Sequence, residues 1–350
     1  MKKIRVGLVG YGLSGAVFHA PLISAVDGLI LTRIVSSRPA KVLGDYPAVS
    51  VDADVDALLA APDVDLVVVS TPNPTHFAYV QKALTAGKHV IVEKPFVNTV
   101  AEADQLIDLA ARQGRLLSVF QNRRWDNDFL TVKKCIDEGL LGDIYNYEAH
   151  YHLNRPEVGP KWKEHAGEGS GALYDLGPHV IDQALCLFGM PATVYADLAC
   201  QRPGADVDDY FQLILGYGPL RVSLRSSSIV KKAGPRYQVH GSKGSLLKSG
   251  ADPQQGDLAR GLRPGHPAWG RDSEEWYAEL TLGRGIIAIS RVETIPGCYE
   301  AYYKGIYEAI TAGGPPPVSA ADGRRVIRII EYARQSHAER RVIDVPDNGR

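Results

Sequence analysis

The stretch that decides the fold is Ile4-Arg5-Val6-Gly7-Leu8-Val9-Gly10-Tyr11-Gly12-Leu13-Ser14-Gly15. An apolar run, Ile4–Val9, is followed at once by glycines in the pattern G-x-G-x-x-G, which is typical of a buried strand leading into a helix. The first glycine permits a tight turn, the second lets the backbone approach a pyrophosphate, and the third allows close helix packing. The stretch therefore predicts a dinucleotide site with the pyrophosphate at the helix N-terminus.

The same alternation of strand and helix continues to residue 122. Further apolar runs rich in Val, Ile and Leu lie at Leu29–Ser36, Leu66–Ser70, His89–Val92 and Leu116–Phe120. They mostly lack polar alternation, as strands covered on both faces do. Amphipathic segments such as Thr75–Ala86 and Thr99–Arg112 separate them, with Asn98 as the expected cap of the second. This order predicts an α/β Rossmann domain, a doubly wound parallel sheet, over residues 1–122.

Beyond residue 122 apolar and polar residues alternate, which is typical of antiparallel strands with one wet face. The predicted strands are Ile144–Leu153, Thr193–Cys200, Tyr210–Leu215, Leu220–Ser227 and Tyr237–His240. Helices are predicted at Thr131–Glu138 and His179–Phe188, and the Gly- and Pro-rich stretch 250–270 predicts a surface loop. Ser319 is the expected cap of a helix at about 319–338, which could pack back on the first domain. Residues 123–350 are therefore predicted to form an α+β domain.

Composition points to a small-molecule partner. The 350 residues include 45% hydrophobic and 23% charged residues, and a net charge of −1 gives no field to attract nucleic acid or a membrane surface. No run of about 18 apolar residues occurs. The four cysteines have no metal or redox spacing, so we interpret them as buried thiols of a cytoplasmic protein and predict no metal site.

The end of the second predicted strand indicates which dinucleotide binds. It reads Ser36-Ser37-Arg38-Pro39, without the carboxylate that an NAD enzyme usually offers to the adenosine ribose. Small hydroxyl groups leave room for a 2′-phosphate, and Arg38 can form charge-assisted hydrogen bonds to it. The pattern favours NADP over NAD, although Arg38 could also be an exposed side chain in a turn.

Two further strand ends carry candidate residues. Thr71-Pro72-Asn73-Pro74-Thr75-His76 follows the predicted strand Leu66–Ser70, where it is expected to border the nicotinamide ribose or to form only a rigid loop. Glu93-Lys94-Pro95 follows the next, which places an ammonium group at the carboxyl edge of the sheet. Taken alone, such a lysine is usually a solvated charge.

The second domain offers Asp175 and His179 at a predicted helix start. Pro178 suits the first helical position, so His179 falls in the first turn and Asp175 just outside the helix. The helix dipole is expected to lower the pKa of His179 and keep it able to accept a proton near pH 7. The alternative is a capping aspartate beside a buried histidine.

In this order, the glycine pattern, Glu-Lys-Pro and Asp-x-x-x-His resemble the Gfo/Idh/MocA family, named after glucose-fructose oxidoreductase and inositol dehydrogenase. The resemblance spans nearly the whole chain. It implies a Rossmann domain, a second domain with a large, mainly antiparallel open sheet that often mediates dimers or tetramers, and catalytic Lys94, Asp175 and His179. The segments Ser36–Arg38, Gln121–Asp126 and Tyr174–Leu187 look like the NADP-dependent scyllo-inositol dehydrogenase branch.

The candidate site residues fall into two sets. The cofactor set is Gly10, Gly12, Leu13, Gly15, Ser36, Ser37, Arg38, Thr71, Pro72, Asn73, His76, Glu93, Lys94, Gln121 and Arg123. The substrate set is Lys94, Arg123, His152, Asn154, Trp162, Asp175, His179 and Tyr237.

The predicted activity is NADP(H)-dependent oxidation of a secondary alcohol, or reduction of a ketone, on a ring carbon of a sugar or cyclic polyol. Scyllo-inositol and scyllo-inosose are the preferred pair. His179 would exchange the hydroxyl proton, and Lys94 would stabilise alkoxide charge. Two alternatives remain: a dehydrogenase for another sugar, an anhydrosugar or a trans-dihydrodiol, and a regulatory protein that binds NADP(H) without catalysis.

Overall fold

The computed structural model describes residues 2–283 and 285–346. The chain divides into two compact units. The first comprises Met1–Asn122, Gln254–Trp269 and Cys298–Arg324, and the second Arg123–Pro253, Gly270–Gly297 and Arg325–Arg350. Residue 1 and residues 347–350, at the ends of the two predicted domains, lie outside the described residues.

The first 122 residues alternate strands and helices. The strands are β1 (Ile4–Val9), β2 (Leu29–Val35), β3 (Ser50–Asp52), β4 (Leu66–Val69), β5 (His89–Glu93) and β6 (Leu117–Phe120). The helices are α1 (Ala20–Ser24), α2 (Pro39–Asp45), α3 (Val55–Ala60), α4 (His76–Thr85) and α5 (Val100–Gln113), with a π-helical turn, Gly15–His19, before α1. All the strands are parallel, in the order β3-β2-β1-β4-β5-β6. The predicted doubly wound sheet is confirmed.

The rest of the chain carries a second sheet. Its elements, in chain order, are α6 (Asn127–Asp137), β7 (Ile144–His150), α7 (Ala172–Asp175), α8 (Gly177–Phe188), β8 (Thr193–Ala199), β9 (Tyr210–Tyr217), β10 (Leu220–Ser227), β11 (Tyr237–Gly241), β12 (Gly244–Lys248), α9 (Gln254–Ala259), β13 (Ala278–Leu282), β14 (Ala288–Val292), α10 (Glu300–Ala312), α11 (Ala320–Glu339) and β15 (Ile343–Asp344). Nine strands pair in the order β14-β13-β12-β11-β7-β10-β9-β8-β15. Only β7 and β10 pair in parallel, so the prediction of a large, mainly antiparallel sheet is confirmed.

Burial explains why the first sheet could be predicted. All four residues of β4 are fully buried, as are Val90, Ile91 and Val92 of β5. Helices cover both faces of such a sheet, so its strands need no polar positions. The predicted cap of α5 is wrong, because Thr99, not Asn98, accepts the Glu102 N–H at 3.2 Å. The Glu102 carboxylate accepts the Thr99 N–H in return, which forms a capping box.

The Gly- and Pro-rich stretch 250–270 is not simply a loop. It contains α9, with Leu258 buried, and ends at Trp269, whose indole N–H donates to Glu300 at 2.9 Å. Tertiary packing in the first unit therefore orders a segment whose composition predicts a surface loop.

The returning segment 298–324 also completes the core of the first unit. The Phe120 ring lies 5.0 Å from the ring of Tyr302 and 5.9 Å from that of Tyr303. Ser319 caps α11 as predicted, accepting the Asp322 N–H at 3.1 Å.

Two general expectations can be compared with the described residues. In residues 2–283 and 285–346 no helix has the length and hydropathy needed to cross a bilayer. The interpretation of all four cysteines as buried thiols is wrong: Cys135 is buried and Cys298 is half-buried, whereas Cys186 and Cys200 are exposed. Cys186 occupies a solvent-facing position of α8, and Cys200 follows the end of β8.

Candidate active site

The three glycines of the first turn have three different environments. Gly10 has φ +99°, and a Cβ there would lie 2.5 Å from the Ser70 carbonyl oxygen. A Cβ at Gly15 would lie 2.1 Å from the Gly10 carbonyl oxygen, so the helix packs tightly on the turn. A Cβ at Gly12 would meet no atom within 4 Å. The turn is therefore closed at its two ends and open at Gly12, as the approach of a pyrophosphate to the backbone requires.

A cavity of about 400 Å³ joins this turn to the end of β2. The predicted residues that line it are Gly10, Gly12, Ser36, Ser37, Arg38 and Thr71. The Arg38 N–H donates to Ser36 Oγ at 3.0 Å, and its guanidinium donates to the Tyr11 carbonyl at 2.7 Å. A cation is thus held across the glycine turn, in a segment that carries no carboxylate. Leu13 is 67% exposed on the same turn.

Two buried polar side chains at the ends of β4 and β6, the strands on either side of β5, add donors and acceptors. Gln121 follows β6 and is 1% exposed, yet neither atom of its amide group has a hydrogen-bond partner among the described residues. The Ser70 hydroxyl, which follows β4, is in the same condition. Buried polar atoms are nearly always paired, so these fit a ligand that carries hydroxyl and amide groups. Together with the glycine turn, they fit a nicotinamide dinucleotide.

The loop after β4 is fixed by His76. Its ring nitrogens lie 2.9 Å from the carbonyl oxygens of Thr71 and Pro95, and burial lowers its pKa. Asn73, also buried, donates to Asn98 at 3.0 Å. His76 and Asn73 thus join the ends of β4 and β5, whereas Pro72 is exposed.

Glu93 supports the residue that follows it. Its carboxylate accepts hydrogen bonds from the Ser14 hydroxyl, from His19 at 3.0 Å and from the Lys94 N–H at 3.0 Å. Burial opposes its ionisation, but the hydrogen bond and charge of His19 and the charge of Lys94 outweigh burial and lower the pKa of Glu93 to about 2. A largely buried carboxylate, 13% exposed, therefore ties the glycine turn to the end of β5, where Lys94 is half-buried.

In the second unit, Asp175 and His179 lie on two successive helices. Asp175 is the last residue of α7, and His179 is the third residue of α8, after Pro178. The Asp175 carboxylate forms an ion pair with Lys163, and His179 is 6% exposed. Asp208 accepts the Leu173 N–H at 2.7 Å, which caps the helix that carries Asp175.

Replacing Asp208 should change how stability depends on pH. Burial raises the pKa of Asp208 from its ordinary value of about 4 to about 6. The folded state thus binds the proton more tightly than the unfolded state, so stability contributed by this group falls as the pH rises from about 4 to 6. Asp208→Asn keeps an acceptor for Leu173 without that cost. Its melting temperature should exceed that of the wild type by about 2–4 °C at pH 7.5 and match it at pH 4.5, measured by circular dichroism. An equal difference at both pH values would contradict this role.

Tyr151 and Arg236 were not predicted from the sequence, and they link His179 to Arg123 through the Tyr151 ring. The Tyr151 ring stacks on His179 with centroids 5.9 Å apart. The guanidinium of Arg236 lies 4.0 Å from the centroid of the Tyr151 ring, and that of Arg123 lies 5.9 Å from it. Tyr151 falls inside the predicted strand 144–153, directly before His152, which is the one signal that could have identified it.

The other substrate candidates differ in their exposure to solvent. His152 is half-buried, and burial and the neighbouring His150 lower its pKa to about 4, so it is neutral at pH 7. Asn154 is exposed, and its backbone forms an isolated antiparallel β-bridge with Ile229. Trp162 is 44% exposed. Tyr237 is fully buried and donates its hydroxyl to Gln183 at 2.9 Å. Strand alternation turns this side chain towards the core, and its place in a substrate pocket stays a prediction.

No group of three or more His, Cys, Asp or Glu side chains that could hold a metal ion occurs in the described part of the chain.

Comparison with known proteins agrees with this architecture. Residues 4–121 match the model of an oxidoreductase family with an NAD-binding Rossmann fold, and residues 133–345 match its C-terminal alpha/beta domain. The chain is 46% identical over 343 residues to the NADP⁺-dependent scyllo-inositol 2-dehydrogenase IolW of Bacillus subtilis, covering 97% of this chain and 95% of that protein. It is 44% identical to the oxidoreductase YdgJ of Escherichia coli, covering 97% of each.

A solved structure gives the same result for the fold. The oxidoreductase yvaA of Bacillus subtilis superposes with a TM-score of 0.96 at 44% identity, over 99% of both chains. Two matched domain models and relatives aligned over nearly the whole length account for both units. The chain therefore belongs to the Gfo/Idh/MocA family of oxidoreductases.

Proposed function

We propose that the protein is an NADP(H)-dependent dehydrogenase of a cyclic polyol, interconverting scyllo-inositol and scyllo-inosose. The observation that carries the proposal is the 46% identity, over nearly the full length, to an enzyme named for that reaction. The catalytic residues in this proposal are Lys94, Asp175 and His179.

The preference for NADP rests on the cavity at the end of β2. Arg38 is exposed there, and its guanidinium is held over the glycine turn by the Tyr11 carbonyl. A 2′-phosphate would gain charge-assisted hydrogen bonds from Arg38 and would meet no carboxylate at positions 36–38. Asp54, which also lines the cavity, is engaged in capping α3 through the Ala57 N–H at 2.9 Å.

The proposed mechanism assigns each residue a separate role. When bound, the nicotinamide supplies the acceptor or donor of the hydride. His179 takes the hydroxyl proton in oxidation and returns it in reduction, as a general base and acid. The Lys94 ammonium stabilises the negative charge that develops on the same oxygen. Asp175 accepts a hydrogen bond from a substrate hydroxyl and so fixes the ring.

The ion pairs of the cations beside Tyr151 and Asp175 support an uncharged substrate. Arg123 lies 3.4 Å from Asp126, Arg236 lies 3.7 Å from Asp128, and Lys163 pairs with Asp175. Each cation therefore already has a carboxylate partner, which leaves little net positive potential for a sugar acid or a sugar phosphate. A polyol needs only donors and acceptors, which these groups supply.

The second sheet supports a homodimer or homotetramer. Along β8, Val194 and Ala196 are buried whereas Tyr195 and Asp197 are exposed, so one face of this strand remains available. Association of two copies through this face of the open sheet is part of the proposal.

An absorbance assay at the nicotinamide band tests the function directly. NADP⁺ and NAD⁺ are each combined with scyllo-inositol, myo-inositol and common aldoses. We expect turnover with NADP⁺ and scyllo-inositol to exceed every other combination. Turnover confined to an aldose would show that the substrate is an aldose rather than scyllo-inositol. Tight NADPH binding without any turnover would favour a regulatory protein.

A further inference from the structure

Lys163 forms an ion pair with Asp175 although neither the glycine pattern nor the Asp-x-x-x-His pattern contains it. The side chains of Lys163 and Asp175 are 28% and 21% exposed, so the pair is partly sheltered but still accessible to a small molecule. Both side chains also line one small cavity in the second unit. An accessible pair at a proposed catalytic carboxylate can contact the substrate.

The backbone around Lys163 is fixed on both sides. The Lys163 carbonyl accepts the Gly171 N–H at 2.9 Å. The next residue, Glu164, accepts the Gly159 N–H at 2.9 Å and pairs with Arg202 at 2.9 Å. Arg202 is itself held by Asp209 at 2.9 Å. The ammonium group is therefore presented from an anchored segment.

The carboxylate side of the pair is equally well supported. Asp208 caps α7, and Gly171 enters this helix with φ +92°. A Cβ at Gly171 would lie 2.3 Å from the Asp208 carboxylate, so the turn before Asp175 admits only glycine. An exposed ion pair on mobile side chains contributes about 0–1 kcal/mol to stability. The backbone on each side of the Lys163–Asp175 pair is nevertheless fixed by specific contacts, which indicates that the pair has a role other than stability.

We propose that Lys163 and Asp175 together bind two neighbouring hydroxyl groups of the substrate ring, with Lys163 donating and Asp175 accepting. This inference rests on the proposed function and names a residue that selects among polyol epimers. The ammonium group can only donate hydrogen bonds and the carboxylate can only accept them. The pair therefore distinguishes substrates by the orientation of two adjacent hydroxyl groups. An epimer with one hydroxyl inverted loses a charge-assisted hydrogen bond to this pair, which costs more than a lost apolar contact.

Three variants test this role: Lys163→Met, Lys163→Arg and, as a control, Lys161→Met. Lys161 is exposed on the same segment, two residues away. Steady-state kinetics with scyllo-inositol and with myo-inositol give kcat and KM, and NADPH fluorescence gives the cofactor Kd. For Lys163→Met we expect the KM for scyllo-inositol to rise about 10- to 100-fold, the preference between the epimers to collapse, and the Kd for NADPH to change less than 2-fold. Lys163→Arg should restore most of the preference, and Lys161→Met should behave as the wild type.

An unchanged KM and epimer preference in Lys163→Met would overturn the inference while leaving the proposed function intact. So would a loss of activity that Lys163→Arg does not relieve at an unchanged melting temperature. If the wild type neither turns over nor binds any polyol, with binding measured by calorimetry on the NADPH-loaded protein, the proposed function fails and this inference fails with it.

Discussion

Lys94→Ala should lower kcat/KM with the polyol by about 1,000-fold or more while leaving the Kd for NADPH within about 3-fold of the wild type. Lys94 directly follows β5, and its N–H donates to Glu93, whose carboxylate is bound by His19 and Ser14. The ammonium is thus held from a rigid strand end. In the proposed mechanism its removal takes away stabilisation of the charge that develops on the reacting oxygen, which the cofactor does not need for binding.

Stopped-flow and steady-state absorbance measure the chemical step, and NADPH fluorescence measures binding. Lys82→Ala serves as the control, because Lys82 is an exposed partner of Asp56 on the outer surface of α4. Such a surface pair contributes little, so the control should keep full activity. Activity above a tenth of the wild-type value in Lys94→Ala would remove Lys94 from the chemistry. A large loss of NADPH affinity would instead assign it to cofactor binding.

Much of the first sheet could be predicted because buried parallel strands are continuous apolar runs. β3 was missed because Ser50–Asp52 has three residues, two of them polar, and lies at the sheet edge. α9 was missed for another reason. Its six residues lie among glycines and prolines, and it is held by tertiary contacts such as the burial of Leu258 and the bond that Gln254 accepts from the Tyr299 N–H. Neither contact is visible in local sequence.

The same distinction applies to the site. Gly10, Gly12 and Arg38 belong to a local pattern, so one segment of sequence was enough to place them in one cavity. Lys163, Tyr151 and Arg236 lie in no pattern, and their contacts depend on how distant segments pack. The burial of Tyr237 belongs to the part that local sequence does show. Its strand alternates, with Tyr237 and Val239 fully buried, and this periodicity indicates an inward position.

Ser37→Asp combined with Arg38→Ala should reverse the cofactor preference. Ser36, Ser37 and Arg38 line one cavity at the end of β2, where the proposed function places the 2′-phosphate. Losing the guanidinium removes a charge-assisted interaction and should raise the KM for NADP⁺ about 10- to 100-fold, and the new carboxylate adds repulsion of the phosphate. The same carboxylate can accept the ribose hydroxyls of NAD⁺, so its KM should fall. The ratio of kcat/KM values for NADP⁺ over NAD⁺ should therefore drop by about 1,000-fold.

NAD⁺ is an internal control for this variant, because the two cofactors differ only in the 2′-phosphate. A general defect of the glycine turn would weaken both cofactors equally and leave the ratio unchanged. A direct role of Arg38 also predicts a salt dependence, since added salt screens an exposed phosphate contact. In the wild type the KM for NADP⁺ should rise with ionic strength more steeply than that for NAD⁺, and in Arg38→Ala the two slopes should converge. A variant that keeps both the NADP⁺ preference and its salt dependence would place the phosphate away from Arg38, and the cavity at the end of β2 would then not set the cofactor.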